Sequence, residues 1–399
     1  MKALVIGGNF AGFTAAVELK RKLKDKVDVT LIDRSPDFLF IPSLIWVPFK
    51  RRNVEDISIP RAEVFRKKKV NFVHAQALSV DPDKQVVHTT QGDYYYDQLV
   101  IATGPRVDFD VAPGVREHSF YVGTPVGAMK IREKLEEFKK NPGPVVVGAT
   151  QSAGCMGAAY EFLFNMEKWL REQNIRKKVD LYWITPETYL GHFGIDGMPL
   201  GESMLKGFMK MFNIKFRTGV GIKEVRADRV ELTTGETIQS NFTMLMPPFK
   251  GVELLSQSPK LGATPNGFMD VGEDYRHKKY PNVWAAGLAV NVAPPFKCGE
   301  VPFGVPKTGY PSDETGKIVA ENIARVEKGK SELKRKPWGK IPGLCIMDAG
   351  KKEVIIFSDH LFKPRKFAIM LPNIFYDFTK VFLEKYFLWK IRHGYTNLP

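Results

Sequence analysis

KALVIGGNFAG, residues 2–12, runs through a basic helical stretch into VDVTLID, residues 27–33. An apolar strand enters a glycine turn, a helix of small residues follows, and a second apolar strand ends in an acid. That order is a mononucleotide-binding βαβ unit. Gly7 makes the tight turn, Gly8 follows it, Gly12 lets the helix pack close, and Asp33 lies where it can bond a ribose hydroxyl. Phe10 and Ala11 open the helix, whose N-terminus faces a pyrophosphate. The middle glycine of G-x-G-x-x-G is replaced by Asn9. Asparagine tolerates positive φ better than other non-glycine residues, so the turn survives with less room for phosphate. The alternative is a purely structural βαβ unit.

Outward from this unit, 399 residues suffice for two or three domains with sizeable cores. The formal charge of +15, from 59 basic and 44 acidic residues, suits an anionic surface or substrate. No zinc-finger, RNA-recognition or helix-turn-helix pattern accompanies it, which argues against nucleic acid. Cys155, Cys298 and Cys345 are too widely spaced for a metal site or a disulfide scaffold. The chain enters its first strand at residue 2, leaving no room for a cleavable signal, and no apolar run approaches the roughly 20 residues that span a bilayer. A soluble or membrane-attached protein is expected.

Phe38 to Val47 reads as an apolar aromatic loop and helix, and Lys67 to Gln98 as short strands with a turn at Tyr94. Leu99 to Pro105 is a buried strand ending in a small-residue turn at Thr103-Gly104. The run from Pro144 to Ile184 repeats strand, helix and strand, so the architecture is a pair of Rossmann-like domains. The repeat has lost its fingerprint: GATQSAGC, residues 148–155, lacks the spacing, and its second strand ends in Thr185-Pro186. A fold that is kept without holding NADH is expected. Hairpins follow from Phe216 to Phe249, turning at Thr234-Gly235, and a late strand ends at Gly287. The expected division is a discontinuous domain over 1–108 and 268–327, a second over 109–267, and a C-terminal segment over 328–399.

Several segments together resemble one family, the sulfide:quinone oxidoreductases, with the flavoprotein of flavocytochrome c sulfide dehydrogenase a close relative. They are FIPSLIWV (40–47), GATQSAGCMGAAYEF (148–162), GHFG (191–194), VPKTGY (305–310), CIMDAG (345–350) and EKYFLWK (384–390). The resemblance implies a glutathione-reductase-like α/β flavoprotein with FAD and a redox pair formed by Cys155 and Cys345. It further implies that Glu161 and His192 serve the active site and that Lys307 lies near the flavin. Thr308 and Gly309 then open a helix whose N–H groups stabilise charge on the flavin. Gly7 to Gly12, Asp33, Arg34, Pro42, Ser43, Ala77, Thr103, Gly104, Gly287 and Leu288 complete the expected cofactor site. This chain departs from the family at Gly123 and Gly127, where many members carry cysteine and histidine, and at Leu288, where an aspartate contacts the ribityl chain.

The chemistry suits the cysteines: hydrosulfide attacks a disulfide, leaving a persulfide on one sulfur and a thiolate on the other. Cys155 starts a helix, where the dipole is expected to lower its pKa. The alternative is that both are ordinary buried cysteines, and Cys298 is read as a bystander. Glu161 and His192 are candidate acid/base groups, against a helix-surface glutamate and a loop histidine. Phe375, Phe378, Phe382, Tyr386 and Trp389 recur at helical spacing among Lys363, Arg365, Lys366, Lys380, Lys385, Lys390 and Arg392, with Asp377 and Glu384 opposing them. Such a helix is expected to lie in a lipid surface, making a peripheral protein of the cell membrane, with Phe357 and Tyr386 at the quinone entry. The expected partners are sulfide, a membrane quinone, lipid and a second copy of the chain. Three other functions remain: a sulfide dehydrogenase with a cytochrome partner, a type II NADH dehydrogenase, and a non-catalytic sulfur-binding scaffold.

Overall fold

A computed structural model describes residues 1–350, 352–373 and 378–398. Two parallel sheets organise it. In the first, the strands lie in the order Val283–Ala285, Gln98–Ile101, Lys2–Ile6, Asp28–Asp33 and Asn71–His74. In the second, the order is Ile214–Arg217, Leu181–Ile184, Val145–Ala149 and Phe242–Met246. Each sheet is an apolar strand cluster covered by helices, which is why its central strands read as continuous hydrophobic runs. The strand Val283–Ala285 lies after the second sheet in sequence but pairs with Gln98–Ile101 of the first. The chain therefore leaves the first sheet and returns to it. Its outgoing and returning segments pair with each other, Pro105–Val107 antiparallel to Phe249–Gly251.

The helix Gly309–Glu327 packs along Phe10–Leu23, closing the first unit from behind. Among the described residues three three-stranded antiparallel sheets flank the core, and the one formed by Gly343–Asp348, Glu353–Ser358 and Ala368–Asn373 carries the third cysteine of the chain. Gly92–Tyr95 forms a strand paired with Val86–Thr89 rather than the expected tyrosine turn, because the reversal is made at its start, where Gly92 takes φ +107°. The hairpin turn at Gly235 is found as expected, at φ +88°.

The C-terminal helix Phe378–His393 is inside-out. Lys380, Glu384, Leu388, Lys390 and Ile391 face inward, whereas Phe378 is 71% exposed, Phe382 60% and Trp389 43%. The aromatic face is continuous: Phe378, Phe382, Tyr386 and Trp389 follow one another at ring separations of 6.1–6.4 Å. Phe375 and Asp377 lie outside the described residues. No helix among the described residues is long and apolar enough to cross a membrane.

Candidate active site

The turn after the first strand is built by its glycines. Gly7 has φ +93°, and a Cβ on Gly12 would lie 1.7 Å from the Gly7 carbonyl oxygen, so helix and turn touch through backbone alone. The positive φ falls on Gly7 and not on Asn9, whose φ of −91° is ordinary for a residue before a helix. Asn9 instead pairs with a backbone: its Nδ2 donates to Leu39 O at 3.2 Å and its Oδ1 accepts from Leu39 N at 3.2 Å. No side chain caps the helix, and its first turn carries no acid. Asp33 accepts from Gly8 N at 2.5 Å and Ser35 N at 2.7 Å and pairs with Arg61 at 3.2 Å. Burial pulls the Arg61 guanidinium below its ordinary pKa, with Asp33 opposing that shift.

The remaining expected cofactor residues surround this turn unequally. Thr103 and Gly104 are half-buried behind the strand Gln98–Ile101, and Gly287 follows the neighbouring strand, donating to Thr315 Oγ1 at 2.8 Å. Ser43 is buried with a hydroxyl that has no hydrogen-bond partner. Lys307 Nζ donates to Val290 O at 3.0 Å and Leu288 O at 3.3 Å, and burial pulls its pKa down to about 7. Thr308 precedes the helix Gly309–Glu327 without capping it. The Phe10 ring turns to Phe38, Phe40 and Phe387 and lies against Gly309, so only its backbone belongs to the turn. Arg34 and Pro42 are exposed, and Ala77 begins a peripheral strand. An uncapped helix start, an acid at the second strand end and the unpaired Ser43 hydroxyl fit a dinucleotide.

Cys155 immediately precedes the helix Met156–Glu172, and Cys345 lies on the strand packed against that helix. The strand period places Leu344 opposite Phe357, while Cys345 stands opposite Ile356 on the other face. The two cysteines, 190 residues apart in sequence (345 − 155), come close enough for charge on Cys155 to act on Cys345. Burial pushes Cys345 up to about 12, with Cys155 adding to the rise, although the residue is exposed along its strand. The crowding protein atoms decide the shift, since exposure at a cleft does not restore bulk solvation. Cys155 is also raised: burial outweighs its hydrogen bond from Ala158 N, so the expected lowering by the helix start is overturned.

Glu161 is buried and not on the helix surface; it forms an ion pair with Lys380 of the C-terminal helix. Burial brings Lys380 down to about 7, and its amine lies 4.6 Å from the Trp46 ring centre. Trp46 in turn donates to Asp348 at 2.9 Å, which also accepts from Arg51 at 2.7 Å. Glu384 holds Arg52 at 2.9 Å, and Lys390 lies 3.6 Å from buried Asp313. Lys380 and Lys390 therefore do not belong to a basic rim; Lys385 and Arg392 remain exposed. The sequence places Lys380 in the basic surround of the aromatic face, whereas the structure buries it against Glu161. The signal was present in the second stripe, Lys380, Glu384, Leu388 and Ile391.

His192 is buried between the rings of Phe296, Phe303 and Tyr189, its Nδ1 has no partner, and burial lowers its pKa. Its loop and the Cys155 loop meet on one segment: Gly194 abuts Gly304 and Val305, and Gly154 abuts Val305. Cys298 bonds only to the Phe303 backbone, donating to O at 3.3 Å and accepting from N at 3.5 Å. Phe357 is 37% exposed beside Phe367, and Tyr386 lies in the aromatic row of the C-terminal helix. In the second βαβ unit, Glu187 points inward and accepts from Phe193 N at 2.6 Å, Tyr160 Oη at 2.9 Å and Thr185 Oγ1 at 2.9 Å. Sequence reading did not single out this carboxylate.

The model of the pyridine nucleotide-disulphide oxidoreductases matches residues 1–296. The sulfide-quinone reductase of Aquifex aeolicus is 35% identical over 397 residues, covering 98% of this chain and 91% of that protein. The chain belongs to the sulfide:quinone oxidoreductase family. The X-ray structure of the Aquifex aeolicus enzyme superposes with a TM-score of 0.94 at 34% identity, covering 98% of this chain and 92% of that one. NDH2 from Plasmodium falciparum shares the fold, with a TM-score of 0.76 at 16% identity and coverage of 98% and 96%. This chain is accordingly an oxidoreductase with a flavoprotein fold.

Proposed function

We propose that this chain oxidises sulfide to polysulfide or sulfur and passes the electrons through FAD to a membrane quinone. The observation that carries the reading is the packing of the strand that bears Cys345 on the helix that Cys155 starts, in a chain similar over 98% of its length to a sulfide-quinone reductase. In the oxidised pair, hydrosulfide attacks one sulfur of the disulfide. An S–S bond forms, the Cys–Cys bond breaks, and the sulfide sulfur is oxidised as the pair becomes a persulfide and a thiolate. Burial raises the pKa of both thiols.

Gly7 to Gly12 would hold the pyrophosphate, Asp33 the ribose, and Lys307, Thr308 and Gly309 the flavin end. A second hydrosulfide takes the outer sulfur from the persulfide as hydrogen disulfide, leaving both cysteines reduced, and FAD, when bound, would supply the two-electron acceptor that their re-oxidation to the disulfide requires and pass those electrons to quinone. Lys380 Nζ, ion-paired to Glu161 and with its pKa lowered by burial, would give up a proton on quinone reduction, and Phe357 and Tyr386 are the candidates to line the quinone's entry. Neutral His192 offers its unpartnered Nδ1 as an acceptor for the proton of the incoming sulfide. The exposed face of Phe378, Phe382 and Trp389 supports attachment to the cell membrane without a spanning helix. The inward Glu187 opposes an NADH dehydrogenase, whose second unit needs that acid for a ribose.

Visible spectra of the purified protein, taken before and after sulfide and before and after NADH, test the proposal. Bleaching of the flavin bands by sulfide and their recovery with a soluble quinone are expected. Bleaching by NADH but not by sulfide overturns it.

A further inference from the structure

We infer that Asn9 is a positioning residue for the cofactor cleft, a brace that its position in the glycine fingerprint conceals. The inference rests on the FAD reading above. Its basis is the two-way pairing of one carboxamide with the Leu39 N–H and C=O, both at 3.2 Å. Leu39 ends the short strand Asp37–Leu39, which pairs antiparallel with Ser58–Pro60. The next residue, Phe40, donates to Ile57 O at 2.9 Å on that partner's side. Strand alternation turns the polar groups of Leu39 to the opposite edge, where Asn9 meets them. The side chain thus completes a sheet edge and points its polar atoms away from the space before the helix.

The edge matters because of what it carries. Phe38 and Phe40 flank Leu39 and pack on Phe10 at 5.2 and 6.2 Å, and Phe40 leads into Pro42 and the unpartnered hydroxyl of Ser43. Asn9 therefore ties the cofactor turn to the loop that closes one side of the cleft. The same device recurs in the second unit: Gln151 Oε1 accepts from Ile222 N at 2.9 Å, and its Nε2 donates to Ile222 O at 3.1 Å. In each unit a carboxamide at the turn clasps the backbone of one residue on a neighbouring strand.

Asn9→Gly separates this assignment from the fingerprint, because it restores the missing glycine while removing the brace. FAD binding to the FAD-depleted full chain is measured by fluorescence titration, with melting temperature and Leu39 amide exchange as companions. We expect the FAD dissociation constant of Asn9→Gly to rise about tenfold, roughly the loss of one to two net hydrogen bonds, and Leu39 exchange to accelerate. FAD binding by Asn9→Gly as tight as wild type, or tighter, overturns the brace, even where its melting temperature has fallen. Wild-type protein that takes up no FAD overturns both the brace and the FAD reading, and Leu39 exchange then reports whether the pairing itself exists.

Discussion

The helices Phe10–Leu23 and Met156–Glu172 each follow a buried parallel strand and a glycine-bearing turn, but the ground in front of them is used differently. No side chain caps either helix, and before the first the acid Asp33 lies half-buried at the strand end. Before the second, Cys155 occupies the helix start, and Glu187 is fully buried under Tyr160 and Thr185. A duplicated scaffold thus separates two tasks. The first unit leaves its helix start to the dinucleotide proposed above, and the second places a thiol at its own helix start and buries Glu187. The lesson is that a shared βαβ frame fixes where a helix start lies, while a few side chains decide what it serves.

The largest effect should come from breaking the second unit at its thiol. Cys155→Ser is expected to lower sulfide-dependent quinone reduction by at least about a thousandfold, because the disulfide cannot form. Cys298→Ser, which removes only bonds to the Phe303 backbone, should remain within about twofold of wild type by the ordinary tolerance of peripheral sites. Equal losses in both variants would reject the Cys155–Cys345 assignment.

Glu187 provides the next test. Burial raises its pKa from 4.5 to about 7. Below pH 4.5 the proton is bound in both states and this contribution to stability is complete; it is lost as pH rises through about 7. Wild type should lose roughly 3 kcal/mol of unfolding free energy relative to Glu187→Gln across that window. Parallel stability curves for the two proteins, measured in denaturant at several pH values, would contradict a buried carboxylate.

Two smaller effects sharpen the contrast. A Cβ on Gly12 would come within 1.7 Å of Gly7 O, and one on Gly148 within 2.1 Å of Ile184 O. Alanine at either position should cost about 1–3 kcal/mol in chemical denaturation, as overpacking does. Only Gly12→Ala should also weaken FAD binding, and equal FAD affinities in the two variants would deny the division of labour. Smallest of all, Asp33→Asn should weaken FAD binding about fivefold to tenfold in a fluorescence titration, the worth of about one net hydrogen bond. Glu187→Gln should leave that affinity unmoved.

Much of this molecule is written locally. The strand runs at Lys2–Ile6 and Val145–Ala149, the turn at Gly7 and the acid at Asp33 are legible because hydrophobic period and turn chemistry act over a few residues. The aromatic stripe of the last helix was equally legible from its spacing. Its inner face was not: Lys380 reads as a surface cation until Glu161, 219 residues away, is found against it. The direction of the thiol pKa shifts was likewise hidden. A helix start is a local feature that lowers a thiol pKa, whereas the surrounding protein that raises Cys155 and Cys345 is gathered from distant segments.

The sequence by itself determined the paired α/β frame, the glycine turn and the residue types that a sulfur and flavin chemistry needs. Only the tertiary structure decided which face of the C-terminal helix is buried, that Glu187 turns inward to Phe193 N, and that Asn9 pairs with the backbone of Leu39. The physical reason is range. Backbone propensity and periodicity act between neighbours in the chain, but desolvation and ion pairing depend on which distant residues the fold brings together.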